Sequence, residues 1–258
     1  MAADNSNDRA AWLQGPSAQC ALPPQRNPMP WRLVLLGAPG VGKGTQADLL
    51  NRRLGACHLS TGDVFRAAGS HREEDQSPAI KKAMEIVRSG GLVPDSTVWE
   101  MIRERSNCLH CGGGFILDGF PRTIGQAELL KQWMVDEGMS LMAVVNYELT
   151  AEEVLRRLSG RRTCEQCHAV FHLTDHRAKV SGTCDRCGGK LFQREDDRRE
   201  SIVVRLESYE RSTTPLIEFY DKLGLLVRID ATGPPDQICA STLASLRSRR
   251  AEHLGQET

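Results

Sequence analysis

Residues 31–45 read WRLVLLGAPGVGKGT, and this stretch decides the fold. The Leu- and Val-rich run before Gly37 predicts a buried strand, and the apolar spacing after Gly42 predicts a helix. The string GAPGVGK between them fits the GxxxxGK pattern of a phosphate-binding loop. In such a loop, glycines let backbone N–H groups surround a phosphate, the helix N-terminus favours negative charge, and Lys43 adds a point charge. Because strand, loop and helix occur in the required order, a nucleotide-binding loop is favoured over an incidental glycine-rich turn.

The residue after Lys43 departs from the usual pattern. It is Gly44, where a Ser or Thr hydroxyl ordinarily contacts magnesium. We therefore expect no direct hydroxyl contact at this position, and Thr45 is the nearest candidate for a contact through water. The predicted nucleotide contacts of the loop are Gly40, Val41, Gly42, Lys43, Gly44 and Thr45.

Strand-like and helical segments alternate through the rest of the chain. Short apolar runs typical of strands occur at 57–59, 115–117, 141–147 and 225–229. The alternation predicts an α/β fold, in which a parallel sheet is flanked by helices and ligands bind beyond the carboxyl ends of the strands. Residues 163–193 interrupt this pattern, and helical character then runs from Arg199 to Tyr220 with a break at Pro215. A final helix is predicted near residues 237–249.

Composition limits the class of protein. The chain has 258 residues, of which 40% are hydrophobic, and this excludes a mostly disordered protein. Lys and Arg number 33, as do Asp and Glu, so the overall charge predicts no nucleic-acid partner. No run approaches the ~20 apolar residues of a membrane helix, and residues 1–29 have no signal-peptide core. We expect a cytoplasmic protein with no membrane partner, whose residues 1–29 form a flexible tail.

Four cysteines have the spacing of a metal site. Cys164-x2-Cys167 and Cys184-x2-Cys187 are separated by sixteen residues, within the C-x2-C-x15–20-C-x2-C pattern of a four-thiolate zinc site. Four thiolates leave no open position, so the predicted Zn²⁺ is structural and stiffens a lobe too small to bury much core. Disulfides or uncoordinated thiols are the alternatives. The neighbouring histidines His168, His172 and His176 are expected to face solvent.

A further cysteine pair, Cys108 and Cys111, has no partner pair in the sequence and predicts a loop with free thiols. Cys57 begins the predicted strand at 57–59, and Cys111 comes shortly before the predicted strand at 115–117. Cys57 would lie near Cys111 if these two strands were neighbours in the sheet. A disulfide between them would require Cα atoms within about 7 Å of each other.

Five strings, taken together and in order, resemble the adenylate kinase family. They are GAPGVGKGT at 37–45, LSTGDVFR at 59–66, GFILDGFPRT at 114–123, GRR at 160–162 and REDD at 194–197. The similarity covers about residues 31–250, and the cysteines match the subgroup with a long zinc-binding lid. The resemblance implies a P-loop nucleoside monophosphate kinase fold and a monomer that transfers a phosphoryl group reversibly from MgATP to AMP, giving two ADP.

The resemblance also implies a division of the chain. A kinase core at 30–250 would carry two mobile lobes, an NMP-binding lobe at about 60–93 and the lid at about 160–197. Residues 251–258 would form a C-terminal tail.

Individual residues take roles from the same resemblance, position by position. The implied AMP contacts are Thr61, Arg66, Val93, Gly119, Arg122, Gln126, Arg194 and Arg205. The implied ATP contacts outside the loop are Arg157, Arg161, Val170 and Phe171. The implied catalytic set is Lys43, Asp118, Arg122, Arg161, Arg194 and Arg205. In that set, Asp118 would orient hydrated magnesium, while Arg194 and Arg205 would hold the transferring phosphate.

Phosphoryl transfer explains this abundance of arginine. The reaction needs positioning and neutralisation of charge, and the planar guanidinium meets phosphate oxygens bidentately. No general base is assigned, because the AMP phosphate is already an anionic nucleophile. Thr61 favours adenine, since related uridylate and cytidylate kinases carry a small apolar residue there. Two alternatives remain, a kinase for another nucleoside monophosphate and an inactive zinc-containing nucleotide-binding module.

Overall fold

The computed structural model describes residues 29–68, 77–88, 93–104 and 106–255. The strands are Trp31–Gly37 (β1), Cys57–Ser60 (β2), Gly114–Asp118 (β3), Ala143–Glu148 (β4), Arg161–Cys164 (β5), Val170–His172 (β6), Leu191–Phe192 (β7) and Leu226–Asp230 (β8). The helices are Lys43–Leu54 (α1), Thr61–Ala68 (α2), Pro78–Arg88 (α3), Asp95–Arg103 (α4), Ser106–Leu109 (α5), Ile124–Asp136 (α6), Ala151–Gly160 (α7), Arg199–Ser212 (α8), Thr214–Lys222 (α9) and Pro235–Gly255 (α10). The tail predicted at 1–29 lies outside these residues except for its last position.

Five strands form a parallel sheet in the order β2-β3-β1-β4-β8, which confirms the predicted α/β fold. The chain moves from β1 to one side of the sheet, through β2 and β3, and then crosses to β4 on the other side of β1. The order therefore reverses at β1. Ligands of open α/β sheets bind beyond the carboxyl ends of the strands at such a reversal. The loop that follows β1 lies at this position.

The two faces of β1 explain its uninterrupted apolar sequence. Leu33 and Leu35 belong to a buried cluster with α1 and α10. Val34 and Leu36 belong to a second cluster on the opposite face, with residues of α3, α4, α6 and α9. Successive side chains of a strand point to opposite faces, so a strand covered on both sides must be apolar at every position. This double burial fixes the position of the loop after Gly37.

A second sheet interrupts the alternation where the composition shift predicts it. Its strands are antiparallel and lie in the order β6-β5-β7. After this sheet come a 3₁₀ turn at Glu195–Asp197 and the helices α8 and α9. The break between the two helices falls at Thr213, and Pro215 occupies the first turn of α9, as predicted.

The last helix is longer than the sequence predicts and extends into the segment assigned to the C-terminal tail. Arg249 donates hydrogen bonds to the carbonyl oxygens of Met142 and Gly224, just before β4 and β8. The guanidinium carbon of Arg250 lies 4.7 Å from the ring centroid of Trp31. These contacts hold the helix's last turns against the amino ends of the strands, and helical periodicity in the sequence does not reveal them.

The cysteines outside the zinc-type pattern form no disulfide. None of the eight cysteines in the described residues forms a disulfide with another of them. The loop predicted around Cys108 and Cys111 is in part the short helix α5, which contains Cys108. The strands β2 and β3 are neighbours, and Cys57 lies opposite Phe115 in their register. The hypothetical bond between Cys57 and Cys111 is therefore absent. No helix in the described ranges combines the length and apolar character needed to cross a membrane.

Candidate active site

The loop between β1 and α1 uses backbone conformations that glycine adopts easily. Gly40 has φ 82° and Gly42, which precedes α1, has φ 104°, both in the left-handed region. A Cβ atom on Gly40 would lie 2.5 Å from the side chain of Leu158. The sequence of glycines therefore lets the loop pack against α7 while its backbone turns into the helix. The predicted strand–loop–helix arrangement is confirmed.

Lys43 lies across this loop. Its Nζ donates hydrogen bonds to the carbonyl oxygens of Gly37 at 2.6 Å and Ala38 at 3.0 Å. The ammonium group is thereby held over the space that the loop surrounds. Thr45 is exposed in the first turn of α1, and the partly buried Gly44 precedes it.

Several charged groups act on Lys43. Burial lowers its pKa, Asp118 raises it, and the positive charges of Arg122, Arg205 and Arg161 lower it further, to about 8. These residues come from β3, the segment after it, the lid and α8, which are far apart in the sequence. The structure thus concentrates positive charge and one carboxylate at the carboxyl edge of the sheet, as phosphate binding requires.

Asp118 ends β3 beside the amino end of α1. Its Oδ2 lies 3.5 Å from where a Cβ atom on Gly44 would be. Burial raises the pKa of Asp118, but His58 and Lys43 lower it more, so the net pKa is below the ordinary value. The carboxyl group is therefore an anion at neutral pH, and Gly44 leaves space in front of it.

His58 is a site residue that sequence reasoning missed. Its Nε2 lies 3.6 Å from Asp118 Oδ2, and its Nδ1 lies 3.1 Å from Asp48 Oδ1. Burial lowers the pKa of His58, but the two aspartates raise it to about 9. The only signal in the sequence was a histidine within an apolar strand, directly before the LSTGD string.

Arg161 and Arg205 are linked through the buried carboxylate of Asp197. Arg161 Nε donates to Asp197 Oδ2 at 2.7 Å, and a second nitrogen of the same guanidinium donates to Oδ1. Arg205 donates to Asp197 Oδ1 at 3.3 Å and to the carbonyl oxygen of Asp196 at 2.8 Å. The side chain of Asp197 is 0% exposed. This carboxylate thus holds one predicted arginine from the lid and one from α8, a role that the REDD string did not reveal.

Two further arginines of the predicted set, Arg157 and Arg194, make different contacts. Arg157 donates to the carbonyl oxygens of Val41, at 3.3 Å, and Ala231, at 2.9 Å, so it contacts the loop directly. Arg194 instead donates from Nε to Thr163 Oγ1 at 2.9 Å. The structure places Arg157 at the loop and Arg194 at the foot of the lid sheet.

The predicted AMP contacts form a connected group. Thr61 donates to the carbonyl oxygen of Gly119 at 2.9 Å, and Arg122 Nε donates to the same oxygen at 2.8 Å. The backbone N–H of Arg122 donates to Gln126 Oε1 at 2.8 Å. Gln126 Nε2 donates to Asp95 Oδ1 at 2.7 Å, and Asp95 was not predicted as a site residue.

Two further predicted AMP contacts lie in or beside α2 and α4. Val93 is partly buried and packs against the cluster that contains Val34. Arg66 lies in α2, but its side chain falls outside the described part of the structure.

The four lid cysteines meet at one point. The Sγ atoms of Cys164 and Cys187 are 3.5 Å apart, as are those of Cys167 and Cys184, and all four lie within 4.8 Å of one another. The backbone N–H of Arg186 donates to Cys184 Sγ at 3.4 Å. With Zn–S bonds of about 2.3 Å, tetrahedral coordination places sulfurs about 3.8 Å apart, so these residues fit a zinc ion.

The predicted adenine contacts on the lid differ in exposure. Val170 is 39% exposed, whereas Phe171 is 4% exposed and stacks on His176 at a centroid distance of 5.2 Å. His172 was expected to face solvent, and this is wrong, because its side chain is only 12% exposed. A Cβ atom on Gly160 would lie 2.1 Å from His172 Nε2, so the ring covers the end of α7.

Comparison with known proteins agrees with this geometry. The family model for adenylate kinase matches residues 35–225. The chain is 45% identical to the adenylate kinase of Carboxydothermus hydrogenoformans over 216 residues, which cover 84% of this chain and 99% of that protein. It is 46% identical to the adenylate kinase of Acidothermus cellulolyticus over 216 residues, 84% of this chain and 98% of the relative. For Caldicellulosiruptor saccharolyticus the identity is 48% over 196 residues, 76% of this chain and 89% of the relative.

Proposed function

The chain belongs to the adenylate kinase family, and from this premise we propose how its residues perform ATP:AMP phosphotransfer, in which AMP accepts a phosphoryl group from MgATP and two ADP result. The observation that carries the proposal is the convergence of Lys43, Asp118, Arg122, Arg161 and Arg205 at the carboxyl edge of the sheet. Phosphoryl transfer depends on such positioning and charge neutralisation more than on covalent help from the protein.

The donor nucleotide occupies the loop after β1. The N–H groups of the loop and the amino end of α1 bind its phosphates, and Lys43 leaves the carbonyl oxygens of Gly37 and Ala38 to contact them. Arg157 already touches the loop through the carbonyl oxygen of Val41, and Arg161 reaches the phosphates from the lid. Of the two lid residues predicted to border the adenine, Val170 has the exposed side chain that can do so, whereas Phe171 is covered by His176.

Asp118 serves the magnesium that accompanies ATP. Its lowered pKa keeps it ionised, and the absence of a side chain at Gly44 leaves space for a hydrated ion between the carboxylate and the loop. Bound Mg²⁺ supplies charge neutralisation of the phosphate oxygens. Because residue 44 has no hydroxyl group, Asp118 and Thr45 would contact the magnesium ion through water molecules rather than directly.

The acceptor occupies the group formed by Thr61, Gly119, Arg122 and Gln126. Arg66 and Val93 complete its contacts. The charge that develops on the transferred group is neutralised by Arg122, Arg194 and Arg205. Asp197 holds Arg161 and Arg205 in position through its hydrogen bonds. The AMP phosphate attacks as an anion, so no side chain has to remove a proton.

Cys164, Cys167, Cys184 and Cys187 would hold a structural Zn²⁺ in the lid through their four thiolates. The lid at about 160–197 closes over ATP and the lobe at about 60–93 closes over AMP, which excludes water from the transfer. The kinase core begins at about residue 30 and extends at least to Gly255, where α10 ends, rather than stopping at residue 250 before a tail at 251–258. A monomer in the cytoplasm with no nucleic-acid or membrane partner remains our prediction.

ADP formation by the purified protein tests the assignment. MgATP is supplied with AMP, UMP, CMP or GMP in parallel reactions. We expect AMP to be strongly preferred. Preference for another acceptor would overturn the specificity argument from Thr61, and no transfer to any acceptor would favour an inactive nucleotide-binding module.

A further inference from the structure

Asp95 makes two short hydrogen bonds where α4 meets α6. Its Oδ1 accepts from Gln126 Nε2 at 2.7 Å, and its Oδ2 accepts from Thr123 Oγ1 at 2.7 Å. Gln126 is 5% exposed and also accepts from the backbone N–H of Arg122 at 2.8 Å. We propose that Asp95 is a specificity-determining residue that fixes the orientation of the Gln126 amide, so that the acceptor site takes 6-aminopurine and rejects 6-oxopurine nucleotides.

The two partners of Gln126 allow only one orientation of its amide. An ionised carboxylate can only accept hydrogen bonds, and a backbone N–H can only donate. The amide nitrogen must therefore face Asp95, and the amide oxygen must face the N–H of Arg122. Rotation by 180° would set oxygen against oxygen and N–H against N–H, and both buried hydrogen bonds would be lost.

Thr123 holds Asp95 in place for this purpose. Its hydroxyl donates to Asp95 and accepts from the backbone N–H of Gln126 at 3.1 Å, as the N-cap of α6. The hydroxyl therefore has no donor left with which to support a rotated carboxylate. Asp95 is the first residue of α4, where its negative charge is favoured by the helix dipole.

The fixed amide retains one N–H and one oxygen lone pair for a ligand. Adenine presents an acceptor at N1 next to a donor at its 6-amino group. Hypoxanthine and guanine present the reverse, a donor at N1 next to an acceptor at O6. When the base lies in one position against Gln126, the fixed amide can form both hydrogen bonds with adenine but not with hypoxanthine or guanine. This inference rests on the proposed placement of AMP against Gln126.

Asp95→Asn tests the proposal, because an amide at position 95 can either donate or accept. We expect the ratio of kcat/KM for AMP to kcat/KM for IMP to fall about tenfold, the effect of one neutral hydrogen bond. If IMP turnover is too slow to measure, the inhibition constant of IMP against AMP phosphorylation is measured instead. The dissociation of IMP is then compared between variant and wild type in place of its kcat/KM. Glu100→Gln is the matched control on α4, since Glu100 pairs with Lys82 at the surface, and its ratio should equal that of the wild type.

An equal loss of activity toward AMP and IMP in Asp95→Asn would overturn the proposal and leave Asp95 with a structural role. An unchanged ratio would overturn it too. Thr123→Val, which removes the hydroxyl that holds Asp95, should lower the ratio in the same direction and serves if Asp95→Asn does not fold. Failure of the proposed function is separately visible, because the wild-type protein would then not phosphorylate AMP.

Discussion

The nucleotide loop and the lid hold their functional groups by different means. The loop follows a strand whose residues Leu33 and Val34 are 0% exposed on opposite faces, so two core clusters fix its position. The buried residues of the small apolar cluster in the lid are Cys164, Ala169, Phe171 and Cys184, half of them cysteines. Burial of apolar surface can therefore order the loop, whereas the four lid cysteines, which lie within 4.8 Å of one another, fit a metal ion that would order the lid. The comparison indicates that one region can be disabled while the other stays intact.

Removal of Lys43 should separate function from stability in the core. We expect Lys43→Ala to lower turnover by about a thousandfold or more, because a preorganised charge at the phosphates is lost. The melting temperature should be nearly unchanged, since the hydrogen bonds of Lys43 in the described structure go to the carbonyl oxygens of the loop rather than to the apolar core. ADP formation and thermal unfolding measure the two effects. Lys82→Ala, at an exposed ion pair, is the control with expected normal activity. Near-normal turnover in Lys43→Ala would mean that the loop has another role.

Removal of zinc should lower the stability of the lid and leave the core folded. Chelation, or Cys184→Ser, should lower the melting temperature by several degrees, because structural zinc contributes folding free energy directly. Hydrogen exchange should accelerate in β5, β6 and β7 and stay slow in β1 and β3. Cys111→Ser controls for loss of a thiol outside the cluster. Identical melting of metal-containing and metal-free protein would contradict this account of the lid.

Asp197 links Arg161 at the base of the lid to Arg205 on α8, and its replacement tests whether that link matters for activity. Asp197→Asn keeps the shape but removes the charge that holds Arg161 and Arg205. We expect kcat/KM to fall roughly tenfold to a hundredfold, because misplaced arginines stabilise the transition state less well. Steady-state kinetics with each substrate varied in turn measures the loss. The neighbouring Asp196→Asn, at a more exposed carboxylate, should lose less, and equal losses would count against a special role for Asp197.

The stabilising contribution of His58 in the core should depend on pH, whereas that of the ion pairs at the lid surface should not. Its pKa of about 9 in the folded protein exceeds the ordinary 6.5, so its stabilising contribution is complete below pH 6.5 and is lost as the pH rises toward 9. The difference in urea midpoint between wild type and His58→Gln should therefore shrink from pH 6.5 to pH 9. A constant difference would exclude a charged His58.

The ion-pair cluster at the lid surface offers the contrasting case. Hydrogen bonds from Arg156 lower the pKa of Glu153 to about 2 and also lower the pKa of Asp175. Both carboxylates stay ionised across the range in which His58 titrates. Arg156→Gln should therefore shift the urea midpoint by a similar small amount at pH 6.5 and pH 9, because exposed ion pairs contribute little.

The sequence was sufficient for the sheet, the loop and the convergence of the cysteines. Each of these depends on local patterns, such as the buried run before Gly37 or the spacing of Cys164 and Cys167. The alternation of strands and helices predicted that the strands of the sheet are parallel, but it did not predict their order. These patterns can be recognised without the tertiary structure, because the residues that form each of them lie near one another in the chain.

The supporting contacts could not be predicted in the same way. His58 meets Asp118 across two neighbouring strands, and Asp95 meets Gln126 across two helices, at separations that no local pattern records. The family resemblance implies that Phe171 contacts ATP, but in the structure its ring is covered by His176. In each case the partner is known only once the tertiary structure is known.

The contact of Arg250 with Trp31 has a practical consequence for engineering. It brings the last turns of α10 to the start of β1, so the first and last described residues lie on the same side of the sheet, away from the nucleotide loop. A short linker from residue 255 to residue 29 could join them, which makes the chain a good candidate for circular permutation with new ends in a surface turn. A fluorescent reporter or an immobilisation tag fused at that side of the sheet would lie away from the nucleotide loop.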